Sequence, residues 1–170
     1  MATKKEDTLK TNVTRLLCAK RIAHRTFTYP ADPVPDGMTL AGMLGRDGKE
    51  VFKTLVTEGA SGGHYVFVLP VCFELDLKKA ARAVGEKSIA MLPSKLLLLL
   101  TGYIHGGCSP IGMKKAFPTV LDQSAEGRDT ILFSAGRVGC QVEMSPKDLS
   151  GLIRFTYADI CSAASNEANE

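Results

Sequence analysis

Two β-rich segments, Val51–Thr57 and His64–Val71, flank the turn-forming run Gly-Ala-Ser-Gly-Gly at 59–63. Segments of this kind joined by so short a glycine-rich link predict an antiparallel hairpin. Further strands are predicted at Thr26–Tyr29 (cut off by Pro30), Thr119–Asp122, Thr130–Ser134 and Cys140–Met144. In the last, Cys140, Val142 and Met144 alternate with Gln141 and Glu143, which predicts one packed face and one polar face. Helical spacing of Leu9, Val13, Leu16 and Leu17 predicts an amphipathic helix over 8–20. Pro30–Gly37 reads as a loop and Met38–Leu44 as a short helix. Leu77, Ala80, Ala81 and Val84 predict another helix, stopped by Gly85, with Lys78, Lys79 and Arg82 on its opposite face. Ser145-Pro146-Lys147-Asp148 reads as a helix start with an N-cap serine. Strands outnumber crossover helices and cluster as hairpins, which favours an α+β fold with a mixed or antiparallel sheet over a doubly wound one.

A chain of 170 residues with 45% apolar and 23% charged residues fits one globular domain. Its core is expected at about 8–160, with disorder at Met1–Asp7 and Ser162–Glu170. The net charge of +3 permits an anionic ligand but lacks the dense basic tract of a protein that coats nucleic acid. Five dispersed cysteines with no CxxC pair argue against a disulfide framework or structural zinc, and for a reducing cytoplasm. The charged start, Met1–Lys10, predicts no secretory signal. The leucines at 96–100 fall far short of the ~20 apolar residues that span a bilayer.

Three places carry candidate chemistry. Lys53 falls on an apolar strand face with Val51 and Leu55, while Phe52, Thr54 and Val56 take the other face. Lysine in that setting is either an edge-strand guard against aggregation or a cation set in a cleft to hold a phosphate or polarise a carbonyl. The stretch Thr101–Lys115, TGYIHGGCSPIGMKK, pairs Gly106 and Gly107 with a turn at Ser109-Pro110 and charge at Lys114-Lys115. The two glycines are either a tight turn or an anion site built from bare amides. In Phe133–Gly139, FSAGRVG, a strand runs into a small-residue bend: Ser134 is a candidate hydrogen-bonding group, and Arg137 a phosphate contact or a solvated turn residue. Cys108 and His105 are near in sequence, but no orienting acid accompanies them and no spacing shows that they converge. His24 and His64 are isolated, so no metal or other cofactor is expected.

Taken together, VFKTLV, the PVxxELDLKKAARAVG stretch, TGYIHGGCSPIGMKK, PTVLD and SAGRVG, in this order and spacing, closely resemble the YbaK/EbsC family. These are prolyl-tRNA-editing proteins related to the insertion editing domain of bacterial prolyl-tRNA synthetase. The resemblance covers roughly residues 8–160. It implies a compact α+β fold with a curved, barrel-like, mostly antiparallel sheet flanked by helices. It also implies hydrolysis, or lyase-type cleavage, of the aminoacyl ester of mischarged tRNA, most often cysteine on proline tRNA. Lys53 matches the family's essential lysine, Thr54 its pocket-lining neighbour, Tyr29 a pocket tyrosine, and Gly106 the backbone position facing the scissile carbonyl. Gly107 is its companion amide, while Ser109, Pro110, Ser134, Gly136 and Gln141 complete the implied substrate contacts. Gln141 stands where the best-known members have an acid, and Asp36-Gly37 where they have an aromatic residue before the glycine. Cys108 stands where others have isoleucine.

The implied partners are the acceptor end of aminoacyl-tRNA and prolyl-tRNA synthetase, with no membrane. Two alternatives stay open: editing of another amino acid such as alanine, or a module that binds charged tRNA or a synthetase without cleavage. The basic face at Lys78, Lys79 and Arg82 is either solvated or a steering surface for tRNA.

Overall fold

The computed structural model describes residues 10–162. The residues predicted to start the first helix, Thr8 and Leu9, lie outside that range, as do Met1–Asp7. Helix α1, Asn12–Ala19, opens with a reciprocal cap in which Thr11 and Thr14 exchange side-chain and backbone hydrogen bonds. Its inner residues Val13 and Leu17 are fully buried. Strand β1, His24–Thr28, leads through the Tyr29–Pro35 loop to α2, Gly37–Met43, capped by Asp36, which accepts the Thr39 N–H at 2.8 Å.

The predicted hairpin is β2, Phe52–Gly59, against β3, His64–Pro70, in register from Phe52–Pro70 to Glu58–His64. A two-residue strand, β4 (Glu74–Leu75), precedes α3, Leu77–Val84, which starts where Asp76 accepts the Lys78 and Lys79 N–H groups and ends at Gly85. Then follow β5, Ile89–Met91, α4, Ser94–Thr101, and β6, Thr119–Asp122. The chain continues through β7, Ile131–Ser134, β8, Cys140–Met144, β9, Phe155–Ala158, and β10, Cys161–Ser162.

The strands form sheets of order β5-β2-β3-β6-β9, β1-β8-β7 and β10-β4. All pairings are antiparallel except β3–β6 and β6–β9. One parallel bridge, Val51–Leu132, joins the two larger sheets. The α+β class and the mixed, mostly antiparallel pairing agree with the sequence reading. The barrel does not: among the described residues the sheets meet at that bridge without closing.

Apolar clusters cover both faces. Val13, Leu17, Phe52, Val56, Phe133 and Val142 pack on one side. On the other, Phe67, Leu69, Ala80, Ala81 and Ile160 pack under α3, and Leu40, Ala41, Val51, Val71 and Leu132 under α2. Each valine, leucine, isoleucine or phenylalanine fully buried there contributes about 1.5–3 kcal/mol of transfer free energy.

Several local expectations change. The leucine run is a helix, α4: Leu96, Leu97 and Leu100 pack on the core, while Leu98 and Leu99 are exposed. The polar face of β8 is buried too, with Gln141 at 3% and Glu143 at 7% exposure, because α2 and the segment after it lie over it. Pro146–Gly151 is a 3-10 helix, and Ser145 makes no side-chain cap. Ser162, expected in a flexible tail, pairs with Glu74 in β10–β4.

Candidate active site

Strand register sets the geometry around Lys53. Val51 and Leu132 are bridged in parallel, so Lys53 and Ser134 each lie two residues beyond that bridge, on the face that Val51 and Leu132 share. Ser134 is paired with Gln141 across β7–β8, and Gln141 with Phe27 across β1–β8. Directly paired residues project from one face, so Lys53, Ser134, Gln141 and Phe27 form a row on the face that carries α2. No second bridge follows Val51–Leu132, so β2 and β7 are not zipped together beyond it. On the same side of β2, pairing with β5 begins only at Thr57. Lys53 therefore sits on an interior strand of its sheet, in a stretch bracketed by two contacts. Between those contacts one side of β2 is unpaired at Lys53, so a local edge remains at this position.

The other predicted residues fall into two groups. Tyr29 packs against the Val51–Leu132 cluster, and its N–H donates to the Gly139 carbonyl at 3.0 Å, which ties the loop after β1 to the SAGRVG bend. Ser134 is buried, and its hydroxyl accepts the Gly136 N–H at 3.1 Å. A Cβ on Gly136 (φ 92°) would come within 3.0 Å of Val13 and 3.2 Å of Tyr103. The glycine loop closes on the same bend: a Cβ on Gly107 would lie 3.0 Å from the Val138 nitrogen and 3.3 Å from the Arg137 carbonyl carbon. Tyr29, Ser134, Gly136 and the paired glycines thus gather at one end of the β7–β8 hairpin.

Thr54 does not join the Lys53 row. It shares the opposite strand face with Phe52 and Val56, and its hydroxyl oxygen is buried without a hydrogen-bond partner. Ser109 is fully buried with its hydroxyl accepting the Ile111 N–H at 3.4 Å, and Pro110 is buried beside it; both shape the loop from within. The two glycines also differ. Gly107 N–H donates to the Ile104 carbonyl at 3.0 Å, whereas Gly106 is exposed at φ 88°. Only the Gly106 amide is left to meet a ligand, which revises the expectation of two bare amides.

Electrostatics separate usable groups from inert ones. The Lys53 ammonium is about one-quarter exposed and lies 3.7 Å from the Glu74 carboxylate, its sole ion-pair partner among the described residues. Gln141 is almost fully buried with its side-chain carbonyl oxygen unpartnered, an uncommon state for a buried acceptor. Burial pushes the Cys108 thiol up to about 12, so it stays protonated at neutral pH, and His105 is exposed while Cys108 is not. A Cys–His nucleophile is therefore absent from the glycine loop. On α3, Lys79 is held by Asp159 at 2.9 Å and by the Cys161 carbonyl at 2.9 Å, leaving Lys78 and Arg82 as that face's exposed cations.

Sequence reasoning missed Glu74 and a buried network in which Arg46 grips Glu143 through both carboxylate oxygens at 3.0 Å. Thr130 donates to the same carboxylate at 2.6 Å. The partners in each lie far apart along the chain, and no local pattern marks them. Glu74 does stand two residues before an N-cap aspartate, but that spacing says nothing of Lys53.

The site thus offers one cation paired with the exposed Glu74 carboxylate, one open amide, a serine and a neutral carboxamide, with no activated protein nucleophile in the glycine loop. Such a set binds and orients a polar, anionic substrate better than it attacks one. The chain also resembles known proteins along most of its length. Residues 32–152 match the model of the aminoacyl-tRNA editing domain. A protein of Enterococcus faecalis (strain ATCC 700802 / V583) named "Putative Cys-tRNA(Pro)/Cys-tRNA(Cys) deacylase EbsC" is 40% identical over 158 residues, covering 92% of this chain and 96% of its own. A crystal structure described as a "putative trans-editing enzyme for prolyl tRNA synthetase" superposes with TM-score 0.77 at 25% identity, covering 92% of this chain and 100% of its own. The hypothetical protein APE2540 shares the fold, with TM-score 0.78 at 23% identity over 89% of this chain and 100% of its own. With most of its length matched by one family model and by a relative at this identity, the chain belongs to the aminoacyl-tRNA editing domain family.

Proposed function

We propose that the protein is a trans-acting deacylase that clears cysteine from mischarged proline tRNA by using the substrate's own thiol. The observation that carries the reading is the α2 face with Lys53, Ser134 and Gln141, which presents a cation and neutral hydrogen-bonding groups, its one neighbouring carboxylate, Glu74, being engaged by the Lys53 ammonium. In the proposed reaction the cysteine sulfur attacks its own carbonyl carbon. A C–S bond forms, the ester C–O bond breaks, and the ribose oxygen leaves with the thiol proton. Free tRNA and a cysteine thiolactone result, and water then opens the thiolactone.

Lys53 anchors the phosphates or ribose of the tRNA end, and the Gly106 amide faces the carbonyl oxygen as negative charge builds. The buried carbonyl of Gln141 accepts a donor from the aminoacyl group, and Tyr29 and Ser134 shape the pocket. Holding a reactive conformer is worth up to ~7–11 kcal/mol in favourable intramolecular cases. One oxyanion donor adds about 3–4 kcal/mol.

Editing of alanine is the weaker reading, because alanine has no thiol and needs an activated water. The acids near the site are both engaged, Glu143 by Arg46 and Thr130 and Glu74 by Lys53. Prolyl-tRNA synthetase, the enzyme that generates the mischarged tRNA, is the proposed partner.

The test is a deacylation panel with cysteinyl-, alanyl- and prolyl-tRNA, each with wild type and Lys53→Ala. Release of cysteine alone, lowered about 100-fold or more by Lys53→Ala, is the expected result. Equal, unaccelerated decay of all three substrates identifies a binding module instead. Release of alanine at a comparable rate rules out dependence on the substrate thiol.

A further inference from the structure

The ion pair of Lys53 has a form that folding does not require. Glu74 lies in the two-residue strand β4, and its side chain is 69% exposed. An exposed pair of this kind contributes little to stability. Its backbone, by contrast, is fixed on both sides. Ser162 of β10 pairs with Glu74 itself, and two residues on, the Asp76 N–H donates to the Ile160 carbonyl at 2.9 Å while the Asp76 carboxylate caps α3. A rigid backbone thus delivers one flexible carboxylate to one half-buried ammonium. At 3.7 Å the contact is longer than a hydrogen bond, so an incoming anion that reaches bonding distance can displace it.

We propose that Glu74 is a resident counter-ion of Lys53: its carboxylate occupies the ammonium until a phosphate of the tRNA end takes its place. This rests on the deacylase reading above. It adds that substrate binding is an exchange of anions at Lys53, so the substrate's apparent affinity includes the displacement of Glu74. Nonspecific RNA, which lacks the aminoacyl group to add contacts at Gln141 and Gly106, meets the same opposition without that compensation.

The experiment compares wild type, Glu74→Gln, Lys53→Gln and the double variant. The readouts are the kcat and KM of cysteinyl-tRNA deacylation, and the Kd of a hydrolysis-resistant, amide-linked cysteinyl-tRNA. Glu74→Gln is expected to lower KM and Kd about two- to fivefold, with kcat held within about twofold. The affinity gain is expected to vanish in the Lys53→Gln background. Unchanged KM and Kd overturn the proposal, as does an equal gain in that background, which marks general charge repulsion. A collapse of kcat in Glu74→Gln also overturns it. Lys53→Gln alone separates the two levels. If it loses deacylation while Glu74→Gln leaves affinity unmoved, only the counter-ion role falls. If it keeps full activity, the role given to Lys53 in the deacylase site and the counter-ion role fall together, while the deacylase activity itself stands.

Discussion

Arg46 and Glu143 are 97 positions apart, yet they form the best-connected buried charge pair described in the molecule. For Glu143, burial is the largest influence and pushes its carboxyl pKa up. Hydrogen bonds from Arg46 and Thr130, with the positive charges of Arg46 and Arg25, outweigh it and hold the group below its ordinary value of 4.5. A folded-state pKa below the unfolded one adds stability above the unfolded pKa, and that stability is lost as pH falls through the folded pKa. In Arg46→Ala burial acts with less opposition, so the acid limb of a pH-dependent urea denaturation series should move to higher pH. Stability near neutrality should drop by about 1–3 kcal/mol. The paired glycines give a second prediction. Gly107→Ala sets a Cβ against backbone atoms of Arg137 and Val138 that cannot yield, so a loss of about 1–3 kcal/mol should show in thermal unfolding. Gly106→Ala meets the movable Val34 side chain at 2.9 Å and a strained φ. Its stability cost should be about 1–2 kcal/mol, with deacylation falling further than that cost explains.

Among the elements, the hairpin and β8 were plain from the sequence, because residue type and period-2 alternation are local properties. Helix α4 was not. Five successive leucines erase the contrast between inner and outer faces that a helical period needs, so the run shows neither period. Packing resolves it, with Leu96, Leu97 and Leu100 turned to the core. Leu98→Ser and Leu99→Ser should accordingly shift stability by no more than about 0.5 kcal/mol. Leu97→Ala and Leu100→Ala should cost about 1–3 kcal/mol by urea unfolding, since both are only partly buried. The alternation in β8 predicts one packed and one polar face, and the polar face proves to be buried as well. Alternation reports which residues share a face, not what covers it.

At the scale of the whole molecule, the end of the described chain is structural. Ile160 is fully buried with its N–H on the Asp122 carboxylate at 3.2 Å, and β10 pairs with β4 beyond it. A variant ending at Ile160 loses that pairing and the Cys161 carbonyl that holds Lys79. Its thermal midpoint should fall by roughly 2–4 °C per kcal/mol lost. The Lys53–Glu74 contact should loosen with it, since β10 is what fixes the Glu74 backbone. The two clusters on the α2 and α3 side meet along β2, where Val51 packs under α2 and Leu55 under α3. Lys53 lies between them, where neither helix seals the face.

The sequence alone determined the class of fold, the hairpin that holds Lys53, and the glycine loop and bend that resemble an editing site. These follow from chemistry within a few residues: turn formers, branched side chains, alternation, extended motifs in order. Alternation had already put Thr54 on the other face; tertiary structure alone decided that Ser134 and Gln141 share a face with Lys53. It also decided that Gly107 spends its amide inside the loop, and that Glu74 reaches the ammonium. Those are contacts between distant strands, set by one bridge and its register, and a shift of a single residue there turns every side chain to the other face.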